Sequence, residues 1–257
     1  MQKFTPNRAI RLLLFDLDST LLDSRKRISD RNLAAIAECR RRGILIGVAT
    51  ARSESTCARF TDILQPDLLI SCSGALVRLR GEVIFRGGFT PKEAAALVGA
   101  GVAEGRGITV DCDDVTYSNR NIEFFNDPGI QYCDFTGFSR GCFKICIEGT
   151  DSDFARRTAA LIDNCSWQAF SDCDWFRFSK SGLSKGDALR HVTSATGIPA
   201  EEMAAFGDDL ADIEMLAFCG IGIAMGNAVE EVKRHADRVI GDNDSDAIAD
   251  FLNFYIL

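Results

Sequence analysis

The sequence predicts an α/β protein, built as a doubly wound parallel sheet with an α+β domain inserted into it. Two observations support this prediction. In the first and last thirds of the 257-residue chain, short apolar runs alternate with helical patterns, which is typical of βαβ units. Residues 83–180 instead mix helices with hairpin-like pairs of short runs. We therefore expect residues 1–82 and 181–257 to form the main domain and residues 83–180 to form the inserted one.

The first third begins with an apolar run at 12–15, which predicts a buried strand. A helical pattern follows and ends at Gly43, because glycine suits the residue just past a helix. A second apolar run at 44–49, a helix at about 54–64 and a third run at 68–72 come next. This βαβαβ order predicts strands that lie parallel in one sheet.

The last third resumes the alternation. Ser184, followed by Asp187, is typical of a helix start, and Gly197 predicts the end of that helix. Pro199 predicts the first turn of another helix. Strands are expected at 204–206, 221–225 and 238–240, and helices after Asp209, from Ala228 and from about Asp246.

The inserted segment predicts helices at about 91–104 and 151–163, with strands near 108–112, 115–118 and 142–148 and a hairpin near 166–178. Its polar side chains are candidates to contact a ligand: Asp113, Tyr117, Asn119, Arg120, Asn121, Arg177 and Lys180. Its large aromatic side chains are expected mostly in the core of the insertion: Phe124, Phe125, Trp167 and Trp175.

Composition excludes several classes of function. A net charge of −8 argues against nucleic acid as a partner, because phosphate backbones attract basic surfaces. No apolar run approaches the length that spans a bilayer, and Asp16 and Asp18 interrupt the N-terminal run, so we predict neither membrane binding nor a signal peptide. The ten cysteines form no Cys-x-x-Cys pair, which favours core thiols in a reducing compartment over a zinc site. We expect a cytoplasmic protein that is monomeric or weakly homo-oligomeric.

Four polar clusters stand at the ends of predicted elements, at 14–20, 48–52, 184–186 and 207–209. In the first, Asp16 and Asp18 follow the first strand, where open α/β sheets bind ligands. One carboxylate can attack phosphorus, while the other donates a proton to the leaving oxygen and later takes one from water. Acidic pairs at strand ends are also common as turn formers. When this pair is considered without the other clusters, that alternative stays open.

Two carboxylates repel a phosphate dianion, and the other clusters offer the positive charge and hydrogen-bond donors that would offset this repulsion. Asp208 could complete a magnesium site with Asp16, although alone it is equally typical of a helix N-cap. Thr50 offers a hydroxyl and Ala51 a backbone N–H to a phosphate oxygen. Lys185 opposes the dipole of the helix that it begins, so a bound anion would explain its position better than a solvated surface. Asp209 and Asp212 are expected to be first-turn or supporting carboxylates, which themselves touch no ligand.

These four clusters, in this order, resemble those of the haloacid dehalogenase superfamily of phosphohydrolases. The resemblance implies a Rossmann-like core in which Asp16 is the nucleophile and Asp18 the general acid and base. It implies Mg²⁺ as the cofactor, held by Asp16, the backbone carbonyl of Asp18, and Asp208. The phosphate-binding residues that it implies are Leu17, Thr50, Ala51 and Lys185.

The position of the insertion refines the resemblance. The gap between Asp16 and Thr50 is short and the gap between Thr50 and Lys185 is long, so the insertion is similar to a cap of the second type. The Asp-x-Asp-Ser-Thr wording also resembles phosphoserine phosphatases, but those carry their cap in the earlier gap. The chain is more similar to the Cof-type subfamily, whose members mostly hydrolyse sugar phosphates and related metabolites. The run at 222–228 matches that subfamily too.

Four positions depart from the family pattern. Ser19 and Ala51 stand where the family usually has glycine, and Ser73 stands where it often has asparagine. Ala211 replaces an asparagine that supports the phosphate in the family, and we expect this change to weaken catalysis without abolishing it.

The leading hypothesis is a magnesium-dependent phosphatase that acts on a small phosphorylated metabolite, foremost a sugar phosphate, through an aspartyl-phosphate intermediate. A phosphotransferase or phosphomutase, in which a second hydroxyl replaces water, fits the same residues. From a different class, a phospho-acceptor module like a response-regulator receiver uses similar groups, but receivers are much shorter. A catalytically weak phosphate-binding module, suggested by Ala211, is the remaining alternative.

Overall fold

A computed structural model describes residues 9–113, 115–120, 130–170 and 173–257 of the chain. These residues form two compact units. The first takes the described residues up to Ala51 together with Thr61–Phe85 and Ser184–Leu257. The second takes Arg52–Phe60 and the described residues of Arg86–Leu183. Three side chains that the sequence suggested for the insertion, those of Asn121, Phe124 and Phe125, lie outside the described residues.

The strands, in chain order, are β1 (Leu12–Phe15), β2 (Leu45–Ala49), β3 (Leu68–Ser71), β4 (Leu76–Leu79), β5 (Glu82–Arg86), β6 (Ile108–Asp111), β7 (Thr116–Ser118), β8 (Ile130–Tyr132), β9 (Lys144–Glu148), β10 (Cys165–Ala169), β11 (Trp175–Lys180), β12 (Met203–Gly207), β13 (Ile221–Ala224) and β14 (Arg238–Val239). The helices are α1 (Asp30–Arg41), α2 (Glu54–Leu64), α3 (Pro91–Ala103), α4 (Ser152–Ala159), α5 (Lys185–Thr196), α6 (Ile213–Phe218), α7 (Glu230–His235) and α8 (Ala247–Phe251).

The first unit is built on a sheet with the order β14-β13-β12-β1-β2-β3-β4-β5. The strands from β14 to β3 run parallel, with β1 in the middle, where Phe15 lies beside Val48 on one side and Phe206 on the other. The chain adds strands on one side of β1 first and later returns to build the other side. Ligands bind at such a reversal, outside the carboxyl ends of the strands. The predicted doubly wound α/β class is confirmed.

Strands β1, β2, β12 and β13 contain only apolar residues and glycine, because helices cover both faces of a parallel sheet. All four side chains of β1 are fully buried, and Leu12 and Leu14 belong to the same apolar cluster as Leu189 and Val192 of α5. Burial of one such side chain contributes about 1.5–3 kcal/mol. This packing fixes β1 and α5 relative to each other, and each of them ends or begins at a polar cluster.

The sequence prediction missed the hairpin of β4 and β5, which extends the sheet beyond β3. Its two-residue turn consists of Arg80 and Gly81, with φ values of 50° and 86°. Two residues with positive φ are typical of a type I′ turn. Arginine is an uncommon residue in such a turn, and β5 is mostly exposed. Neither the turn residues nor a hydrophobic pattern therefore predicted this hairpin.

The second unit contains a six-stranded sheet with the order β10-β11-β9-β6-β7-β8. Its pairings are antiparallel except that β7 and β8 run parallel. Trp175 is buried, and Trp167 packs edge-on against Phe176 with ring centroids 5.6 Å apart. Helices α3 and α4 accompany this sheet, so the α+β character expected of the insertion is confirmed. Trp175 is a buried core residue as predicted, whereas Trp167 is partly buried and packs against the core.

Two helix predictions were wrong in detail. Pro199 begins only a short 3₁₀ turn at Ala200–Glu202, because β12 starts at the next residue and leaves no room for a helix. Helix α4 was expected to continue to about 163, but it ends at Ala159. Asn164, just before β10, adopts a φ of 57°.

All ten cysteines are free thiols and most of them are buried. Among the described residues, no helix has both the length and the apolar character that a bilayer crossing requires.

Candidate active site

The polar clusters of the first unit meet at the carboxyl ends of β1 and β12. Asp16 directly follows β1, and its backbone N–H donates to the carbonyl of Phe206 at 3.0 Å. The chain then makes one wide helical turn at Leu17–Leu21, closed by a hydrogen bond from Leu22 N–H to Leu17 O at 2.8 Å. Leu17 and Leu21 are buried, so their side chains anchor this turn and leave the polar groups between them at the edge of the sheet.

Lys185 is the first residue of α5 and is only 3% exposed. Its Nζ lies 2.6 Å from Asp16 Oδ1 and 2.6 Å from Asp212 Oδ1. The helix starts at Ser184, whose hydroxyl accepts a hydrogen bond from the backbone N–H of Asp187 at 3.0 Å. A buried ammonium requires a charged or hydrogen-bonded partner, and here two carboxylates provide it.

Gly74 allows the loop after β3 to approach the start of α5. Its φ is +101°, and a Cβ atom there would lie 2.1 Å from the carbonyl oxygen of Ser184. In the same loop, Ser73 N–H donates to the carbonyl of Thr50 at 3.0 Å. This loop therefore links the end of β2, where Thr50 is buried, to the helix that carries Lys185.

Asp212 organises the loop after β12. Its Oδ2 accepts hydrogen bonds from the backbone N–H groups of Asp208 and Asp209, at 3.0 Å and 3.1 Å, and its side chain is fully buried. Gly207 makes room for it, since a Cβ there would lie 2.5 Å from the Cβ of Asp212. The second carboxylate of the loop, that of Asp208, accepts a hydrogen bond from the Thr20 hydroxyl at 2.6 Å.

These groups form an anionic cluster in which oxygen atoms of Asp16, Asp208 and Asp212 all lie within 4.8 Å of one another. Burial raises the pKa of Asp16 well above its usual value, and the negative charge of Asp212 adds to that rise against the opposing effect of Lys185. Burial likewise raises the pKa of Asp208 to about 6, although the hydrogen bond from Thr20 opposes it. Burial lowers the pKa of Lys185, but Asp16 and Asp212 outweigh it and raise that pKa above its usual value.

Three carboxylates that face one ammonium leave the cluster with excess negative charge. Oxygen ligands and excess negative charge suit a hard divalent cation such as Mg²⁺. A bound cation would also favour the charged forms of Asp16 and Asp208 and so oppose the burial that raises their pKa values. The acidic cluster could therefore hold a metal ion.

The remaining predicted residues lie around the cluster in different ways. The carboxylate of Asp18 accepts from Lys26 Nζ at 2.8 Å, and both side chains are partly exposed. Thr50 is buried at the end of β2, and its N–H donates to Ile70 O at 2.8 Å. The side chain of Leu17 is fully buried, so Leu17 can offer a ligand only its backbone. Ala51 follows Thr50 at the edge of the same unit.

Sequence reasoning named Asp212 and Thr20 but did not predict the contacts that they make. Asp212 was expected to be a supporting residue, yet it contacts Lys185 and belongs to the acidic cluster. The available signal was its spacing from Gly207 and Asp208, which places a second carboxylate one helical turn after the first. Thr20 belongs to the first polar cluster, but the sequence did not indicate that its hydroxyl would donate to Asp208.

Comparison with known proteins agrees with this geometry. A family model described as haloacid dehalogenase-like hydrolase matches residues 13–252. The 5-amino-6-(5-phospho-D-ribitylamino)uracil phosphatase YitU of Bacillus subtilis is 39% identical over 99 residues, which cover 38% of this chain and 35% of that protein. The HMP-PP phosphatase of Klebsiella pneumoniae is 28% identical over 260 residues, which cover 96% of this chain and 96% of that protein. Among solved structures, the subclass IIB sugar phosphatase BT4131 matches in fold, with a TM-score of 0.83 at 24% identity over 96% of this chain and 100% of that one.

Proposed function

The chain belongs to the haloacid dehalogenase-like hydrolases, and from this premise we propose that it is a Cof-type phosphatase. It would hydrolyse a sugar phosphate or a similar small phosphate monoester with Asp16 as the nucleophile. The observation that carries the proposal is the position of Lys185, buried between the carboxylates of Asp16 and Asp212 at 2.6 Å from each. A buried lysine at this position provides fixed positive charge where a phosphate dianion would otherwise meet only anions.

Asp16 is well placed to attack phosphorus. Its Oδ1 is held by Lys185, whereas its Oδ2 forms no hydrogen bond with another described residue. In the first step Oδ2 bonds to phosphorus, the bond from phosphorus to the ester oxygen breaks, and that oxygen takes a proton from the carboxyl group of Asp18. In the second step the carboxylate of Asp18 takes a proton from water, the water oxygen attacks phosphorus, and Asp16 is released with inorganic phosphate.

We assign the metal to Asp16, Asp208 and the backbone carbonyl of Asp18. Both oxygens of Asp212 are already engaged, Oδ1 by Lys185 and Oδ2 by two backbone N–H groups, which favours a positioning role for Asp212 over ligation. Bound Mg²⁺ would supply positive charge against the phosphate oxygens. Thr20 fixes the orientation of Asp208 through its 2.6 Å hydrogen bond.

The remaining assignments extend the proposal to phosphate binding and specificity. Thr50 and the backbone N–H groups of Leu17 and Ala51 would bind the phosphate oxygens together with Lys185. The inserted residues 83–180 would act as the cap domain that selects the leaving group. Sugar phosphates are the first class to test, because the names of the related proteins refer to a sugar phosphatase and to a phosphatase of a phosphoribitylamino compound.

A phosphate-release screen tests the proposal. The chain is incubated with sugar phosphates, nucleotides and vitamin phosphates, with Mg²⁺ or with a chelator, and free phosphate is measured. We expect Mg²⁺-dependent release that Asp16→Asn abolishes, while Asp62→Asn, the same change at an exposed position, leaves activity unchanged. Formation of an isomer without free phosphate would indicate a mutase instead. An Asp16→Asn protein that hydrolyses an aryl phosphate as fast as the parent would rule out the proposed nucleophile.

A further inference from the structure

The turn that carries Asp18 needs support from outside itself. Ser19, the next residue, has a φ of 60°, a backbone conformation that residues other than glycine adopt at an energetic cost. The side chain of Asp18 is partly exposed, so packing does not fix it. If Asp18 transfers protons, its turn must nevertheless keep a fixed orientation relative to Asp16.

Two asparagines from distant loops hold this turn by its carbonyl groups. Asn227 Nδ2 donates to Ser19 O at 2.8 Å, and Asn243 Nδ2 donates to Leu22 O at 2.9 Å. The two asparagines are themselves connected, because Asn227 Oδ1 accepts from the backbone N–H of Asn243 at 2.9 Å. A side-chain amide can donate from its nitrogen and accept at its oxygen, whereas a carboxylate lacks the donor.

A close approach of two loops brings the asparagines together. The backbone N–H of Gly226, after β13, donates to the carbonyl of Gly241, after β14, at 2.9 Å. A Cβ at Gly226 would lie 3.0 Å from backbone atoms of that second loop, so a larger residue would push the loops apart. The contact continues along the turn, where Ser24 N–H donates to Asp244 Oδ1 at 2.7 Å.

The same loops also reach the metal side of the cluster. Val229 N–H donates to the carbonyl of Asp208 at 3.2 Å, and Met225 N–H donates to Gly207 O at 3.0 Å. The loops that follow β12, β13 and β14 therefore form one hydrogen-bonded rim. Asn227 and Asn243 are the side chains by which this rim holds the turn after β1.

We propose that Asn227 and Asn243 are positioning residues for the phosphatase reaction, which hold the Ser19–Leu22 turn and thereby the orientation of Asp18. This rests on the proposed function of Asp18 as general acid and base. It explains Gly226 and Asn227 within the run at 222–228: the glycine admits the neighbouring loop, and the asparagine bridges that loop to the turn.

The test separates the donor from the rest of the side chain. Asn227→Asp keeps the size and the acceptor that Asn243 N–H requires, but it loses the donor to Ser19 O. Asn227→Leu removes both polar atoms without adding charge. Asn253→Asp, the same chemical change at an exposed position near the C-terminus, is the matched control. Each variant is assayed in kcat and KM with an alkyl phosphate and with 4-nitrophenyl phosphate, and its unfolding is measured in urea.

We expect Asn227→Asp and Asn227→Leu to lower kcat/KM for the alkyl phosphate at least tenfold, while urea midpoints stay close to that of Asn253→Asp. The loss should be clearly smaller for 4-nitrophenyl phosphate, because its leaving group needs little protonation by Asp18. Equal losses for both substrates, or losses that follow the urea midpoint, would make the asparagines merely structural and overturn the proposal. A rise in KM at constant kcat would assign them to substrate binding and also overturn it.

Asp18→Asn, measured in parallel, distinguishes the two levels of the argument. If Asp18→Asn is inactive on the alkyl phosphate but Asn227→Asp is not impaired, only the positioning role fails. If Asp18→Asn is as active as the parent, the proposed role of Asp18 fails and the positioning role fails with it. We expect Asn227→Asp to cause little further loss in the Asp18→Asn background, since both changes act on the same step.

Discussion

Replacement of the proposed nucleophile by its neutral counterpart, Asp16→Asn, should abolish activity and yet stabilise the metal-free protein. The reason is the charge balance of the cluster, in which three carboxylates face the single ammonium of Lys185. Without a metal, Asp16 is both attracted by that ammonium and repelled by two neighbouring anions. The asparagine side chain of this variant would keep the shape of the aspartate and leave Lys185 paired with Asp212.

The size of the effect follows from the distances. With an effective dielectric constant of about 20, an ammonium 2.6 Å from Asp16 Oδ1 attracts it by about 6 kcal/mol. Two carboxylates within 4.8 Å each repel it by at least about 3.5 kcal/mol, so the pairwise contributions nearly cancel. The cost of burying an ionised carboxylate, several kcal/mol, then remains uncompensated. Because a buried amide also loses water, we expect a net gain of about 1–3 kcal/mol in the free energy of unfolding.

The gain should depend on pH in a defined direction. Burial raises the pKa of Asp16 in the folded chain, whereas an unfolded aspartate has a pKa of about 3.9. The folded state therefore binds more protons than the unfolded state, and the contribution of Asp16 to stability falls as pH rises from about 4 through the folded pKa. Asp16→Asn lacks this contribution, so its advantage over the parent should grow with pH and then level off.

Urea unfolding in a chelator at pH 5 and at pH 8 measures both effects, with Asp62→Asn as the control for loss of one exposed charge. Addition of Mg²⁺ should reverse the order, because the parent offers the cation one more anionic ligand than the variant does. The reasoning would be refuted by an Asp16→Asn protein that is less stable than the parent at pH 8 in chelator. The slope of its free energy of unfolding against urea concentration would have to equal that of the parent. That result would mean that attraction to Lys185 exceeds repulsion and the cost of burial together.

Three further predictions concern other parts of the chain. Gly74→Ala should cost more than about 2 kcal/mol in urea unfolding and should lower kcat, because its Cβ would overlap the start of α5; Gly99→Ala, in open space on α3, should be neutral or stabilising. Lys144→Met should destabilise the chain by about 3–5 kcal/mol in urea unfolding, because it removes the ammonium 2.8 Å from the carboxylate of Asp111, which is only 5% exposed. Adding Asp111→Asn to this variant should restore part of the lost stability. Ala211→Asn should raise kcat by about fivefold, the value of one hydrogen bond of about 1 kcal/mol, and steady-state kinetics would detect it.

Much of the fold could be predicted because the buried strands are visible in the sequence as short apolar runs. Strands β1, β2 and β12 are apolar at nearly every position and are bounded by polar residues or glycine, so their limits were predicted within one residue or so. Strand β8 gave no such signal, since it has three residues and two of them are exposed. Exposed edge strands form through backbone pairing with a neighbour, and pairing of that kind leaves no hydrophobic pattern in the sequence.

The location of the site was also predictable, because parallel strands place their carboxyl ends at one edge of the sheet. This rule alone indicated Asp16, Thr50 and Asp208 as candidates, and the structure brings Asp16 and Asp208 into one acidic cluster. The rule says nothing about which side chains then touch. That Lys185 bridges Asp16 and Asp212 depends on how α5 packs against the sheet, and its two partners lie 169 and 27 positions away along the chain.

Asp212 shows why a modest interpretation and a functional one can both be correct for one residue. The sequence suggested a first-turn carboxylate, and its Oδ2 does accept from two backbone N–H groups as such a residue would. Its Oδ1 faces the other way and pairs with Lys185. The two roles depend on each other, because the backbone hydrogen bonds fix the carboxylate plane and so aim the second oxygen at the lysine. The loop that carries Asp208 and the lysine that contacts Asp16 are thus positioned by the same carboxylate, so the proposed phosphate site and the proposed metal site share one structural support.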